Sequence, residues 1–291
     1  MFGTNEIIGK KYFKDAPADS LYVTSMFFTL QGEGPYAGLP ALFIRLAKCN
    51  LDCSFCDTFF DDGDWMTFDQ IESKMYSAIN DYWNNQGKTS PTWAVNGMND
   101  YPGVVLVMTG GEPLLQDNIS AFMAEQLKHF RAVQVESNGI PVTVVPQGVT
   151  LVCSPKCMEK EGRAVKYFAP SKTILDRADC LKFVMSSDSN SPYNNVPEWA
   201  HEWKRINPTK EVYCSPMNVY NSFPQKIKLL RAEKGTITMA ERSTVDEKIN
   251  FFEPGLLNME MIAKNHEYVG KYCIEHGFKM NMQMHLFANL A

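Results

Sequence analysis

The chain has 291 residues, 45% of them hydrophobic, and a formal net charge of −5. That length and apolar content suffice for a sizeable core, and the acidic balance argues against a broad phosphate-binding face, so no direct nucleic-acid partner is expected. No run approaches the ~20 apolar residues that span a bilayer, and Met1-Phe2-Gly3-Thr4-Asn5-Glu6 lacks the basic and apolar regions of a signal peptide; a cytoplasmic protein with no membrane association is the expectation.

Apolar runs of strand length recur at Tyr22 to Leu30, Ala41 to Leu46, Val104 to Met108, Val133 to Glu136, Thr150 to Cys153, Leu181 to Met185, Glu211 to Cys214 and Met280 to His285. Helical patterns lie between several of them. Thr67-x-x-Gln70 reads as a capping box ahead of Phe68, Ile71, Met75, Ile79 and Trp83 at helical spacing, and Asn118 to Phe130 repeats the pattern through Ile119, Phe122, Met123 and Leu127. The alternation predicts an α/β fold of parallel β/α units in a curved sheet or partial barrel, with functional residues at the carboxyl ends of strands. Two stretches break the rhythm. Residues 84–101 are rich in Asn, Gly, Thr and Pro, and residues 218–254 mix charge with few large apolar runs. Both read as insertions in a single domain covering residues 1–291.

The chemistry concentrates in Cys49-Asn50-Leu51-Asp52-Cys53-Ser54-Phe55-Cys56. This C-x3-C-x2-C spacing places three thiolates on one short loop, and an iron-sulfur cluster that wants four ligands is left with one open iron. Zinc is the competing use of such cysteines, but it takes two pairs of ligands; Cys153-x3-Cys157 would have to be the second pair, and it lies far downstream. Cys180, Cys214 and Cys273 fall in apolar stretches and read as buried thiols.

Other motifs close the predicted strands. Thr109-Gly110-Gly111-Glu112-Pro113 follows Val104 to Met108, Glu136-Ser137-Asn138-Gly139 closes the next strand, and Ser154-Pro155-Lys156 the one after. Paired glycines allow close approach of the backbone to a ligand, although Gly-Gly-Glu-Pro alone is equally a tight turn. Ahead of the cysteines stand Thr29-Leu30-Gln31-Gly32-Glu33-Gly34-Pro35 and then Arg45 inside an apolar run. Gln31 and Glu33 suit the edge of an amide-bearing heterocycle, and Arg45 is a planar, permanently charged fork suited to a carboxylate.

The cysteine spacing is the signature of radical S-adenosylmethionine (SAM) enzymes, and the chain resembles them. With the Thr29 to Pro35 run, Arg45-Leu46, Cys49-Asn50-Leu51-x-Cys53-x-x-Cys56-Asp57-Thr58 and the later motifs, it resembles the 7-carboxy-7-deazaguanine synthases. The resemblance is strong over residues 22–60, patchy at 104–156, 211–217 and 280–291, and absent from the insertions. It implies a partial (β/α) barrel of the radical SAM type, a 4Fe-4S cluster on Cys49, Cys53 and Cys56, and SAM held by Gly111, Glu136, Ser154, Pro155, Lys156 and Ser215. It also implies substrate contacts from Leu30, Gln31, Gly32, Glu33, Arg45, Thr109, His285 and Ala291, and Mg2+ at Thr58. The residue chemistry by itself does not choose Thr58 over Asp57. The implied reaction is radical ring contraction of 6-carboxy-5,6,7,8-tetrahydropterin with loss of ammonia and regeneration of SAM, in a homodimer reduced by a donor such as a flavodoxin. Two departures are visible: Ser215-Pro216 stands where the family commonly has Gln-Pro, and Leu286 where a Lys commonly follows Gln-x-His.

Two other functions use the same cysteines. A glycyl-radical-enzyme activase would cleave SAM but has no use for Gln31, Glu33, Arg45 and His285 around a small heterocycle. A noncatalytic iron-sulfur or zinc module would need a fourth protein ligand and no SAM site.

Overall fold

The computed structural model describes residues 7–141, 143–221, 257–288 and 290. In chain order the strands are β1 (Ser20–Leu30), β2 (Pro40–Leu46), β3 (Asp64–Thr67), β4 (Tyr101–Gly110), β5 (Phe130–Ser137), β6 (Thr150–Cys153), β7 (Cys157–Lys160), β8 (Arg163–Tyr167), β9 (Cys180–Met185), β10 (Glu211–Pro216) and β11 (Lys279–Met280). The helices are α1 (Phe68–Asn84), α2 (Ile119–Gln126), α3 (Lys172–Arg177), α4 (Glu198–Ile206), α5 (Met259–His276) and α6 (Met284–Phe287). One nine-stranded sheet has the order β11-β10-β9-β6-β5-β4-β2-β1-β3, and β7 and β8 form a separate hairpin. From β2 to β11 every neighbouring pair is parallel. β1 joins β2 and β3 antiparallel at the other edge.

Side chains alternate between the two faces of a strand, and the faces differ sharply. Leu42, Ile44 and Leu46 of β2, Leu106 and Met108 of β4 and Val133 and Val135 of β5 share one core with Ile71, Met75 and Ile79 of α1 and Ile119, Phe122 and Met123 of α2. The intervening positions, among them Thr29, Gln31, Arg45, Glu136, Lys182 and Ser215, line a cavity of about 250 Å³ on the opposite face. Helices on one side and a polar cavity on the other is the arrangement expected of a partial (β/α) barrel. Among the described residues no helix is long and apolar enough to cross a membrane.

Several boundaries differ from expectation, each for a local reason. The capping box forms as expected, with Gln70 N–H donating to the Thr67 hydroxyl. The second helix ends at Gln126 rather than Phe130, because Phe130 opens β5 and packs its ring 4.6 Å from Tyr101. The strand expected over Met280 to His285 is only Lys279–Met280, followed by a helix over Met284–Phe287. It stops because Asn281 spends its side chain on Gly34 N–H at 2.8 Å and on Glu33 at 3.2 Å, across the mouth of the sheet. The loop over residues 85–100 contains no helix or strand, yet it buries Ala94 completely. Of the stretch expected at 218–254, residues from 222 onward lie outside the described residues, as does Ala291.

Candidate active site

The cysteine loop runs on from β2 and is clamped from the β4 side. Gly111 N–H donates to Leu46 O at 2.9 Å, and Glu112 N–H to Lys48 O at 2.9 Å. A Cβ on Gly110 would lie 2.2 Å from the Leu46 backbone, and one on Gly111 2.0 Å from Lys48 O. The two glycines are therefore required by close backbone packing just ahead of Cys49, a structural use added to the ligand contact expected of Gly111. Glu112, which the sequence reading did not assign, is 1% exposed and accepts from Asn138 N at 2.7 Å, Ser137 Oγ at 2.8 Å and Leu114 N at 3.0 Å. It ties the carboxyl ends of β4 and β5 together. Burial pushes its carboxyl up to about 7 against the pull of these donors. On the other flank the β7–β8 hairpin reaches over the loop, with Ser54 N donating to Glu159 Oε2 at 2.9 Å, and Phe55 meets the edge of Tyr193, from the segment after β9, at 5.1 Å.

Cys49, Cys53 and Cys56 line the cavity, and no fourth cysteine does among the described residues. Burial pushes the Cys53 and Cys56 thiols up to about 12, and burial followed by the charge of Glu112 raises Cys49. Such thiols become thiolates only beside a strong positive charge. Among the described residues no three His, Cys, Asp or Glu side chains converge as a single metal ion would need. Three thiols lining one cavity without converging on a point would suit a polynuclear iron-sulfur cluster. Thr58 lines the cavity with Asp57, whose Oδ1 accepts from the Thr58 hydroxyl at 3.1 Å; adjacent hard oxygens suit Mg2+, which takes its remaining ligands from water and substrate.

A linked polar wall lines the same cavity. Lys182 Nζ lies 2.6 Å from Glu33 Oε2 and 2.7 Å from Glu136 Oε2. Burial by itself would lower the lysine, but Glu136 and Glu33 outweigh it and hold the ammonium above its usual range. Gln31, 1% exposed, reaches Glu136 Oε1 at 3.4 Å and accepts from Glu33 N at 3.1 Å. Asn281 links Ser215 Oγ at 2.8 Å to Glu33 Oε1. Lys156 donates to Ser154 O at 2.7 Å and Ser154 Oγ at 2.6 Å, and burial lowers its ammonium. Towards the rim, the Arg45 guanidinium sits 4.7 Å over the Phe27 ring, which stacks on Phe43 at 5.3 Å. Among the described residues Thr29 Oγ1, in the same wall and 6% exposed, has no hydrogen-bond partner. A buried hydroxyl so placed wants a ligand atom.

The cavity thus brings together Gln31, Glu33, Arg45, Cys49, Cys53, Cys56, Thr58, Thr109, Gly111, Glu136, Ser154, Lys156 and Ser215. Leu30, Gly32 and Pro155 are not among its lining residues. Leu30, the last residue of β1, stands between the cavity-lining Thr29 and Gln31, so its side chain belongs to the other face. The backbone of His285 lies in α6. Lys182, Asn281, Thr29, Glu112 and Gln283 were not anticipated. Lys182 left one trace, a cation inside the apolar run Cys180-Leu181-Lys182-Phe183-Val184-Met185.

No protein-family model matches the chain. A 7-carboxy-7-deazaguanine synthase from Rickettsia prowazekii is 34% identical over 198 residues, 68% of this chain and 74% of the relative. The chain belongs to the 7-carboxy-7-deazaguanine synthase family. A second member, from Rhodospirillum rubrum, is 30% identical over 207 residues, 68% of this chain and 71% of its own. The crystal structure of QueE from Escherichia coli superposes with a TM-score of 0.53 at 17% identity, covering 95% of this chain and 99% of that one, which shows the shared fold. As a member of the 7-carboxy-7-deazaguanine synthase family the chain is a radical SAM enzyme acting on a small molecule.

Proposed function

We propose that the chain makes 7-carboxy-7-deazaguanine from 6-carboxy-5,6,7,8-tetrahydropterin, the route to 7-deazapurines such as those of queuosine. The observation that carries the reading is that the three-cysteine loop and the Gln31, Glu33 and Arg45 wall open onto one cavity. Cys49, Cys53 and Cys56 would hold a 4Fe-4S cluster which, with SAM, supplies one-electron reduction and a hydrogen-abstracting radical. Gly111, Glu136, Ser154, Lys156 and Ser215 form the SAM side of the cavity. Gln31 and Glu33 take the amino-pyrimidinone edge of the pterin. Arg45 takes its carboxylate, and Mg2+ at Thr58 shares that charge. The apolar Phe27 and Phe43 rings flank the same end and exclude water from the charge pair. His285 and the terminal Ala291 stand as further substrate contacts. From the same family reading come a homodimer, reduction by a small donor such as a flavodoxin, and a place in the cytoplasm.

The test is anaerobic turnover after reconstitution with iron and sulfide, with reductant, Mg2+, SAM and 6-carboxytetrahydropterin. A product with the mass of 7-carboxy-7-deazaguanine supports the reading; SAM cleavage with no such product refutes the substrate assignment.

A further inference from the structure

A lysine is a costly residue to bury, and replacing it with an apolar side chain of similar volume is often neutral or stabilising when its partners go too. Lys182 is 5% exposed on β9, in the cavity wall. Its two partners come from distant parts of the sheet: Glu33 from the turn after β1 and Glu136 from β5. Both carboxylates are held at their outer oxygens as well. Glu33 Oε1 accepts from Asn281 Nδ2 at 3.2 Å and Ser215 Oγ at 3.5 Å. Glu136 Oε1 accepts from Gln134 Nε2 at 3.0 Å and Gln31 Nε2 at 3.4 Å. Every hydrogen bond in this frame presupposes a carboxylate that accepts. Lys156 also faces both carboxylates, but its ammonium donates to Ser154 O and Ser154 Oγ, so Lys182 is the cation hydrogen-bonded to both, and without it the two carboxylates repel each other.

We propose that Lys182 is a positioning residue for the reaction, holding the Glu33 and Glu136 carboxylates side by side so that the N–H edge of the heterocycle meets a charged acceptor at Glu33 while Glu136 serves the adjoining SAM side. The inference deepens the proposed function and rests on it. With Lys156 also facing Glu33 and Glu136, the wall carries two carboxylates and two ammonium groups, and Glu33 is the charged acceptor it offers a donor-rich ligand edge. With its N–H edge on Glu33, the substrate points its carboxylate towards Arg45. One lysine thus sets which end of the heterocycle points where.

The experiment measures binding of 6-carboxytetrahydropterin by calorimetry to the reconstituted protein without reductant, between pH 5.5 and 8.5. It compares wild type, Lys182→Met and the charge-balanced Lys182→Met/Glu136→Gln. A charge-assisted hydrogen bond lost at Glu33 corresponds to a Kd about tenfold to a hundredfold higher. Lys182→Met is expected to show that loss and to bind with a pH dependence different from that of wild type. The double variant removes the surplus carboxylate, restoring affinity to within several-fold and returning the profile to that of wild type. It also keeps the test valid if the single variant folds poorly. Equal binding and matching profiles in wild type and Lys182→Met would overturn the role of Lys182, as would a double variant no better than the single, since simple loss of packing is not rescued by charge balance. A wild-type chain that binds SAM but not the pterin would instead overturn the substrate reading beneath it.

Discussion

Glu112 is the hinge pin between the β4 and β5 ends of the site, and its replacement by alanine has a calculable cost. The carboxylate accepts from two backbone N–H groups, of Asn138 and Leu114, and from the Ser137 hydroxyl. At ~1–3 kcal/mol for each buried group left without a partner, and with Ser137 Oγ still accepting from Gly139 N, Glu112→Ala should cost about 3–5 kcal/mol near pH 5. The cost should depend on pH. Burial raises the folded carboxyl to about 7 from its ordinary value of 4.5, so the folded chain holds this proton more tightly than the unfolded one. That contribution is complete below about pH 4.5 and is lost as the pH rises through about 7, a change on the order of 3 kcal/mol. The penalty of the substitution should therefore shrink between pH 5 and 8. Urea denaturation of wild type and Glu112→Ala before cluster reconstitution, at several pH values, reads both effects. A penalty under about 1 kcal/mol at pH 5, or one that does not shrink with pH, would refute the account of Glu112 as a buried tie.

Two further substitutions probe the framing of the cysteine loop. Gly111→Ala places a Cβ 2.0 Å from Lys48 O and 2.4 Å from Lys48 C, so the backbone leading into Cys49 must move; iron and sulfide content after reconstitution should fall by more than half, and near-wild-type loading would contradict the packing argument. Glu159→Ala removes the carboxylate that accepts from Ser54 N at a site open to solvent, so stability should change by under about 1 kcal/mol. The visible absorption of the cluster should nevertheless bleach several-fold faster in air; unchanged bleaching would mean that the hairpin does not guard the loop.

What was legible in the sequence was what lies contiguous in it. The Thr29 to Pro35 run, Arg45 and the cysteines sit on one strand pair and the loop that follows, so their spacing carries the geometry directly. The strand ends at Gly111, Glu136 and Ser154 were found because parallel strands deliver their closing motifs to one rim. The wall was harder to read. Lys182 and Asn281 acquire meaning only when β9 and the segment after β11 are brought to Glu33, and the strand order that does this is set by helix packing on the far face. The β7–β8 hairpin escaped notice because its strands, Cys157–Lys160 and Arg163–Tyr167, are short and largely polar around the Glu161-Gly162 turn. α5 was findable: Asn258 caps it by accepting from Met261 N, Gly277 ends it at φ 67°, and Ile262, Val269 and Cys273 fall on its buried face.

The central claim is that one cavity serves both the cluster with SAM and the pterin, so that SAM is regenerated with each turnover instead of being spent. The most direct measurement is the ratio of 7-carboxy-7-deazaguanine formed to 5′-deoxyadenosine accumulated, under anaerobic turnover with SAM held below the pterin concentration. The account predicts many product molecules for each SAM lost. One deoxyadenosine for every product, or deoxyadenosine with no deazaguanine, would contradict it.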